Sequence, residues 1–203
     1  MKSRLPLTLA AIVIAVLAWS AIVPHDYFTW LAEVFPVLVA LPLLYFTREK
    51  FPLTPLLYTL IAIHCVILIY GGHYTYALTP FGDWMRETFA LQRNPYDRIG
   101  HLVQGFVPAI IARELLLRTS SIKPGKWLFA IIVLSCFGIS AIYELIEWTA
   151  AVVTGTQAES FLGTQGDVWD TQKDMLCAGI GATLALLSLS RLHDRQLAAK
   201  LQA

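Results

Sequence analysis

The chain has 203 residues, of which 57% are hydrophobic and only 14% are charged. This composition excludes a water-soluble domain, because soluble proteins average roughly 45–50% apolar and about 25% charged residues. The net charge of +1 leaves no basic field that would attract nucleic acid, so we expect no nucleic-acid partner. Much of the surface must therefore face lipid, and the bilayer is the expected partner.

Six apolar runs approach the roughly 20 residues that a helix needs to cross the hydrocarbon core. They predict an all-α fold, a bundle of six transmembrane helices that forms a single membrane domain over residues 1–203. The predicted spans are 5–23, 29–46, 56–72, 99–117, 127–149 and 169–189. Between the third and fourth spans, the polar and aromatic stretch 73–98 is expected to lie on the membrane surface. His193 is expected in a C-terminal tail beyond the last span.

The basic residues are distributed unequally between the two sides of this bundle. Eleven of the fifteen lie at the termini or in the segments that share their side. The other side carries only four basic residues, which are Arg86, Arg93, Arg98 and Lys173. The positive-inside rule therefore predicts that both termini are cytoplasmic.

Ionisable side chains collect at the opposite ends of the last three spans. His101, Glu144 and Asp174 each lie 17 residues from a residue that marks the cytoplasmic end of the same helix, namely Arg118, Trp127 and Arg191. At 1.5 Å per residue this places them about 25 Å from the cytoplasmic interface. Charged groups at membrane depth need a partner or a water-filled cavity. We therefore predict a polar pocket at the periplasmic face.

Each polar residue type in this pocket suits a particular role. Acid–base catalysis could be performed by Glu144, Glu147, His101 and Asp174. A divalent metal could be bound by His101, Glu144, Asp170 and Asp174, because histidine and carboxylates are common metal ligands. A ligand could be contacted by Arg98, Tyr96, Gln104 and Trp169, with Arg98 holding an anionic head group such as phosphate.

Three other interpretations remain open at this point. The cluster could bind a proton or cation during transport. Glu144 and Glu147 could form structural ion pairs with Arg98 or Lys173. Asp167 and Asp170 could simply cap a helix.

Three motifs resemble the YjdF-like family of bacterial inner-membrane proteins: YDRIGH at 96–101, YELIEW at 143–148 and GDVWDTQKD at 166–174. The resemblance implies a multi-pass protein of the inner membrane and leaves its activity open. A more distant similarity is to VanZ-like proteins, which are associated with glycopeptide resistance, and it rests on residues 97–101, residues 144–147 and the spacing of Asp174, Ala178 and Gly181. This sequence departs from the VanZ-like motifs at two positions. It has Glu147 where those proteins have a glutamine, and Ala178 where they have an asparagine.

The sequence thus predicts an inner-membrane protein that binds or processes a lipid-linked or cell-envelope ligand. A proton- or cation-coupled transporter and a non-catalytic accessory protein are the alternatives. No cofactor can be named beyond the possible divalent metal.

Overall fold

The computed structural model describes residues 4–154, 162 and 164–201. This part of the chain contains seven α-helices and one short 3-10 turn, Tyr76–Leu78. The helices are α1 (Leu5–Ser20), α2 (Tyr27–Thr47), α3 (Pro55–Tyr74), α4 (Pro80–Thr88), α5 (Tyr96–Thr119), α6 (Lys126–Thr154) and α7 (Asp170–Leu201).

Five of these helices, α2, α3, α5, α6 and α7, are long and apolar enough to cross a membrane. The all-α prediction is therefore confirmed, whereas the count of six spans is matched only in part because α1 has 16 residues. Two details differ from expectation. The stretch 73–98 contains a further helix, α4, and α7 continues past residue 189 to Leu201. His193 consequently lies within a helix and is fully buried, so its placement in a tail was wrong.

Short polar side chains start three of the helices. The Asp26 carboxylate accepts a hydrogen bond from the Thr29 amide at the start of α2, and the Thr54 hydroxyl accepts one from Leu57 at the start of α3. The Asn94 side chain likewise accepts a bond from the Tyr96 amide where α5 begins. Each bond satisfies an amide that has no partner inside its own helix, which fixes where the helix starts.

The closest helix contact in the bundle is that between α5 and α7, and glycines make it possible. A Cβ atom added to Gly105 would lie 1.8 Å from the Ala178 carbonyl oxygen, and one added to Gly181 would lie 1.9 Å from the Leu102 carbonyl oxygen. The two backbones therefore touch directly, as small-residue interfaces in membranes allow. This contact brings the ends of α5 and α7 within reach of each other's side chains.

Each end of α1 lies at the same level of the bundle as an end of α2 and an end of α3. At one end, His73 Nδ1 lies 2.9 Å from the Ser20 carbonyl oxygen, and the His25 amide donates to the His73 carbonyl. At the other end, Leu5 and Arg48 line the same cavity. α1 thus extends along the same thickness of the bundle as its longer neighbours.

A layer of buried apolar side chains fills the middle of the bundle. It includes Ala109 and Ile110 of α5, Ile132 of α6, and Ala182 and Ala185 of α7, all fully buried. This layer lies between the ionisable residues near the start of α5 and those near its end.

The α5–α7 contact gives a first testable prediction. Gly105→Ala should lower the free energy of unfolding by about 2–3 kcal/mol, because the new methyl group would meet backbone that cannot rotate away. Gly138→Ala is the matched control, since a Cβ atom at Gly138 meets nothing within 4 Å. It should leave stability unchanged or raise it by up to about 1 kcal/mol. Thermal unfolding of both variants in detergent measures the difference, and equal melting temperatures would contradict the packing argument.

Candidate functional site

Arg98 is the centre of a group of aspartates at the end of the bundle where α5 and α7 begin. Its Nη2 atom lies 2.6 Å from Asp170 Oδ1 and 3.2 Å from Asp167 Oδ2, and its Nη1 atom donates to Asp174. The planar guanidinium suits this role because its donors point in fixed directions toward several carboxylates. Arg98 thus ties the start of α7 to the start of α5.

Two further basic side chains complete this ionic group. Arg93 pairs with Asp97 at 3.1 Å and also donates to Asp170. Lys173 Nζ lies 2.6 Å from Asp167 Oδ2. The Lys173 ammonium, followed by the Trp169 amide, lowers the pKa of the Asp167 carboxyl to about 2. Asp167 is therefore a carboxylate at any physiological pH.

His101 faces two carboxylates at a distance too long for hydrogen bonds. Its Nε2 atom lies 3.6 Å from Asp97 Oδ1 and 3.6 Å from Glu144 Oε1. Glu144 Oε1 is buried and has no hydrogen-bond partner in the described part of the chain. Ligand atoms that share one tetrahedral ion at 2.0–2.2 Å are about 3.4 Å apart, so the observed spacing fits a shared cation.

Asp174 forms a second group of potential ligands with Asp97 and His101, and this group does not include Glu144. Ligand atoms of Asp97, His101 and Asp174 all lie within 4.8 Å of one another, and all three residues are buried. The metal set expected from the sequence also contains Asp170, whose carboxylate pairs with Arg93 and Arg98. Asp97, one helical turn before His101, is a further potential ligand, and it and Asp174 pair with Arg93 and Arg98 respectively.

Acids outnumber bases in this region, which we call the acidic cluster. Among the described residues it contains six carboxylates and three permanently charged bases, together with His101. The acids are Asp97, Glu144, Glu147, Asp167, Asp170 and Asp174, and the bases are Arg93, Arg98 and Lys173. Since an uncompensated charge at membrane depth is costly, the surplus requires protons or a bound cation.

The remaining residues singled out from the sequence have different positions. Glu147 is buried on α6 and interacts electrostatically with Glu144. The Tyr96 hydroxyl donates to the Ile67 carbonyl oxygen at 2.8 Å, away from the cluster. Trp169 is 61% exposed, and Gln104 lines a cavity on the other side of α5. The structure therefore brings together Arg98, His101, Glu144, Glu147, Asp170 and Asp174, but not Tyr96 or Trp169.

Glu33 of α2 is a buried acid that sequence reasoning gave no role. The Tyr143 hydroxyl donates to Glu33 Oε2 at 3.1 Å and thereby joins α6 to α2. The available signal was a single carboxylate within an apolar span, which by itself indicates a buried partner. Its partner could not be identified, because tyrosines occur at several membrane-edge positions in this sequence.

A second polar network lies near the other ends of α5 and α7, and sequence reasoning missed it. Arg113 donates to His193 Nδ1 at 2.7 Å, so the ring proton is on Nε2, which donates to Glu114 at 3.0 Å. Glu114 also pairs with Arg118 at 2.8 Å and accepts from the Thr54 hydroxyl at 2.8 Å. These bonds satisfy a fully buried carboxylate and join the ends of α3, α5 and α7. We call this group the Glu114 network.

Comparisons with known proteins give the family. A family model described as "Predicted membrane protein (DUF2238)" matches residues 5–195. The chain belongs to this family. The inner membrane protein YjdF of Escherichia coli (strain K12) is 50% identical over 182 residues, which cover 90% of this chain and 87% of that protein. No solved structure matches the chain. The resemblance predicted from the sequence is confirmed, and the family and this relative support an inner-membrane protein.

The central position of Arg98 gives a second prediction. Arg98→Met should lower the free energy of unfolding by about 3 kcal/mol, because the buried aspartates lose their shared cation. Lys173→Met removes a charge from the same cluster, but Lys173 is 51% exposed, so its loss should cost at most about 1 kcal/mol. Equilibrium unfolding in mixed micelles measures both values. Similar losses in the two variants would show that Arg98 is not the central cation.

Proposed function

We propose that the acidic cluster is a cation-binding site through which this inner-membrane protein handles a cell-envelope ligand at the periplasmic face. The observation that supports it is the position of His101 Nε2, 3.6 Å from both Asp97 Oδ1 and Glu144 Oε1. A histidine nitrogen between carboxylates, with an oxygen that lacks a partner, is a typical environment for a divalent metal. The surplus of acids supplies the negative charge that such an ion needs.

The cation also provides the way in which an anionic ligand would be held. Both terminal nitrogens of Arg98 are already engaged by aspartates, so a phosphate would have to displace them. A divalent ion bound by a few carboxylates can instead accept phosphate oxygens as further ligands. In this proposal a divalent ion held next to His101 and Glu144 would contact the phosphate of a lipid-linked or envelope molecule. Glu144 or Glu147, where not bound to the ion, would donate or accept a proton, and Arg98 holds the site together.

A transport function receives less support from the arrangement of polar residues. The buried apolar layer around Ala109, Ile110 and Ile132 separates the acidic cluster from the Glu114 network. A coupled transporter needs a route for the ion to both faces, and backbone contacts at Gly105 and Gly181 oppose the sliding of α5 past α7. A site that is open to one face accounts for the cluster without such a movement.

The proposal includes six spans with both termini in the cytoplasm. α1 is counted as a span because its ends coincide with those of α2 and α3, although its 16 residues cover only about 24 Å. Flanking residues and local thinning of the bilayer accommodate a helix of this length. The unequal distribution of basic residues then gives the orientation.

Metal analysis of the purified full-length protein tests the cation site. After removal of metal with a chelator and addition of Zn²⁺, Mn²⁺ or Mg²⁺, the wild type should retain one of these ions. His101→Asn and Glu144→Gln should weaken its binding by at least about tenfold, as expected when a metal site loses a supporting group. Asp194→Asn is the matched control, because this 47% exposed acid pairs at 2.7 Å with Arg113 of the Glu114 network, far from the acidic cluster. Lipid mass spectrometry of the same samples identifies any co-purified envelope molecule.

Two results would overturn this proposal. The first is wild-type protein that retains none of the three ions. The second is equal retention by the wild type, His101→Asn and Glu144→Gln, which would place the ion elsewhere. In either case a non-catalytic accessory role, with the cluster joining helices, would become the better interpretation.

Reporter fusions test the orientation separately. Alkaline phosphatase fused after Ala90, in the exposed turn that follows α4, should be active because that enzyme folds only outside the cytoplasm. Green fluorescent protein fused after Gly125 or at the C-terminus should be fluorescent. The opposite pattern would reverse the orientation and place the acidic cluster in the cytoplasm.

A further inference from the structure

A cavity of about 210 Å³ lies on the side of α5 that faces away from α7. We call it the side cavity. Its walls come from four helices, α2, α3, α5 and α6, and include Pro36, His64, Gln104, Pro108 and Ile139. Most of the lining is apolar. Ile139 is 44% exposed, so the cavity reaches the surface of the bundle that faces lipid.

The side cavity is separate from the acidic cluster but shares one wall with it. His101 lines the cavity and also presents Nε2 to Asp97 and Glu144. The hydrogen bond between Tyr143 and Glu33 joins α6 to α2 next to the cavity.

Three buried polar atoms at this cavity have no hydrogen-bond partner among the residues that the structure describes. They are His64 Nε2, His101 Nδ1 and Gln104 Oε1. Pro108 also lines the cavity, and because it has no amide the Gln104 carbonyl lacks its usual helical donor. Buried polar groups in proteins are nearly always paired, so several orphans at one cavity indicate an absent partner.

The chemistry of these atoms restricts what that partner can be. Gln104 Oε1 is only an acceptor and therefore needs a donor. His101 Nδ1 accepts when the ring proton faces the carboxylates, and it donates when Nε2 binds a cation. A hydroxyl group has one hydrogen to donate and can also accept, so it satisfies both atoms when it accepts from His101 Nδ1 and donates to Gln104 Oε1. When Nδ1 is an acceptor, the single hydroxyl hydrogen satisfies one of the two atoms. A carbonyl or ether oxygen has no hydrogen to give to Gln104.

We propose that the side cavity binds the hydroxyl group of a membrane-soluble alcohol, with its apolar chain entering from the bilayer. The apolar walls and the exposed position of Ile139 favour an amphiphile over water alone, although water carries the same hydroxyl chemistry. This site does not depend on a metal in the acidic cluster. If the acidic cluster binds no metal, the proposal of an alcohol site in the side cavity is unaffected.

Photolabelling of the full-length protein in nanodiscs tests whether the side cavity binds an alcohol. The probe is hexadecanol that carries a diazirine on its chain, and the comparison compound is its methyl ether, which cannot donate a hydrogen bond. The alcohol should label peptides of α3, α5 and α6 at the cavity about five- to tenfold more than the ether, as one lost hydrogen bond implies. Unlabelled hexadecanol should compete, and hexadecane should not.

Two variants and one control make the result specific. Gln104→Leu removes the acceptor at nearly constant size and should abolish the preference for the alcohol. Ile139→Trp should fill the cavity and reduce labelling by both probes. Ile142→Trp is the matched control, because Ile142 is 59% exposed on the same helix and does not line the cavity. It should label like the wild type.

The proposal fails if the alcohol and the ether label the cavity equally, since the orphan atoms would then have no role in binding. It also fails if neither probe labels the cavity, which would indicate water as its sole occupant. Labelling that is unchanged in both Gln104→Leu and Ile139→Trp would place the alcohol at another site and would contradict it as well.

Discussion

Charged side chains at membrane depth must find partners, and the close approach of α5 to α7 allows them to do so. Gly105 and Gly181 let the two backbones touch, and at one end of this contact Arg98 reaches the aspartates of α7. At the other end Glu114 reaches His193. The apolar layer between the two ionic groups excludes water, which strengthens the electrostatic interactions at both ends. A single pair of helices thus fixes the relative positions of most ionisable groups inside the bundle.

Hydropathy and spacing were sufficient to predict the level of these groups but not their partners. His101, Glu144 and Asp174 were placed at one depth because depth follows from the rise of a helix along its axis. Pairing depends on the rotation of each helix, and a mostly apolar span contains little information about rotation. For that reason the sequence did not single out Asp97, whose carboxylate lies 3.6 Å from His101 Nε2. His193 was missed for another reason: the charged segment after residue 189 suggested a tail, yet α7 continues and buries this ring.

His101 is the residue at which the two proposed sites meet. Its Nε2 atom lies near the carboxylates of Asp97 and Glu144. The residue also lines the side cavity, where its Nδ1 atom is one of the buried polar atoms without a hydrogen-bond partner. A histidine that binds a metal usually donates its second ring hydrogen to another acceptor, which fixes its tautomer and strengthens its basicity. A hydroxyl group in the side cavity would be such an acceptor. The ring of His101 would then contact both proposed sites, each of which stands without the other.

The same geometry limits how the cluster could act across the membrane. Moving a cation from the cluster toward the Glu114 network would require it to pass Ala109, Ile110 and Ile132, whose buried side chains have no polar atom to coordinate it. Opening a path would require separation of α5 from α7, and this would expose Arg98 and Glu114 without their partners. Breaking either buried pair costs several kcal/mol, and both would break together because they lie on the same two helices. In the proposed function the acidic cluster therefore acts at one face, with α5 and α7 as a fixed scaffold, and the proposed alcohol enters from the bilayer side of α5.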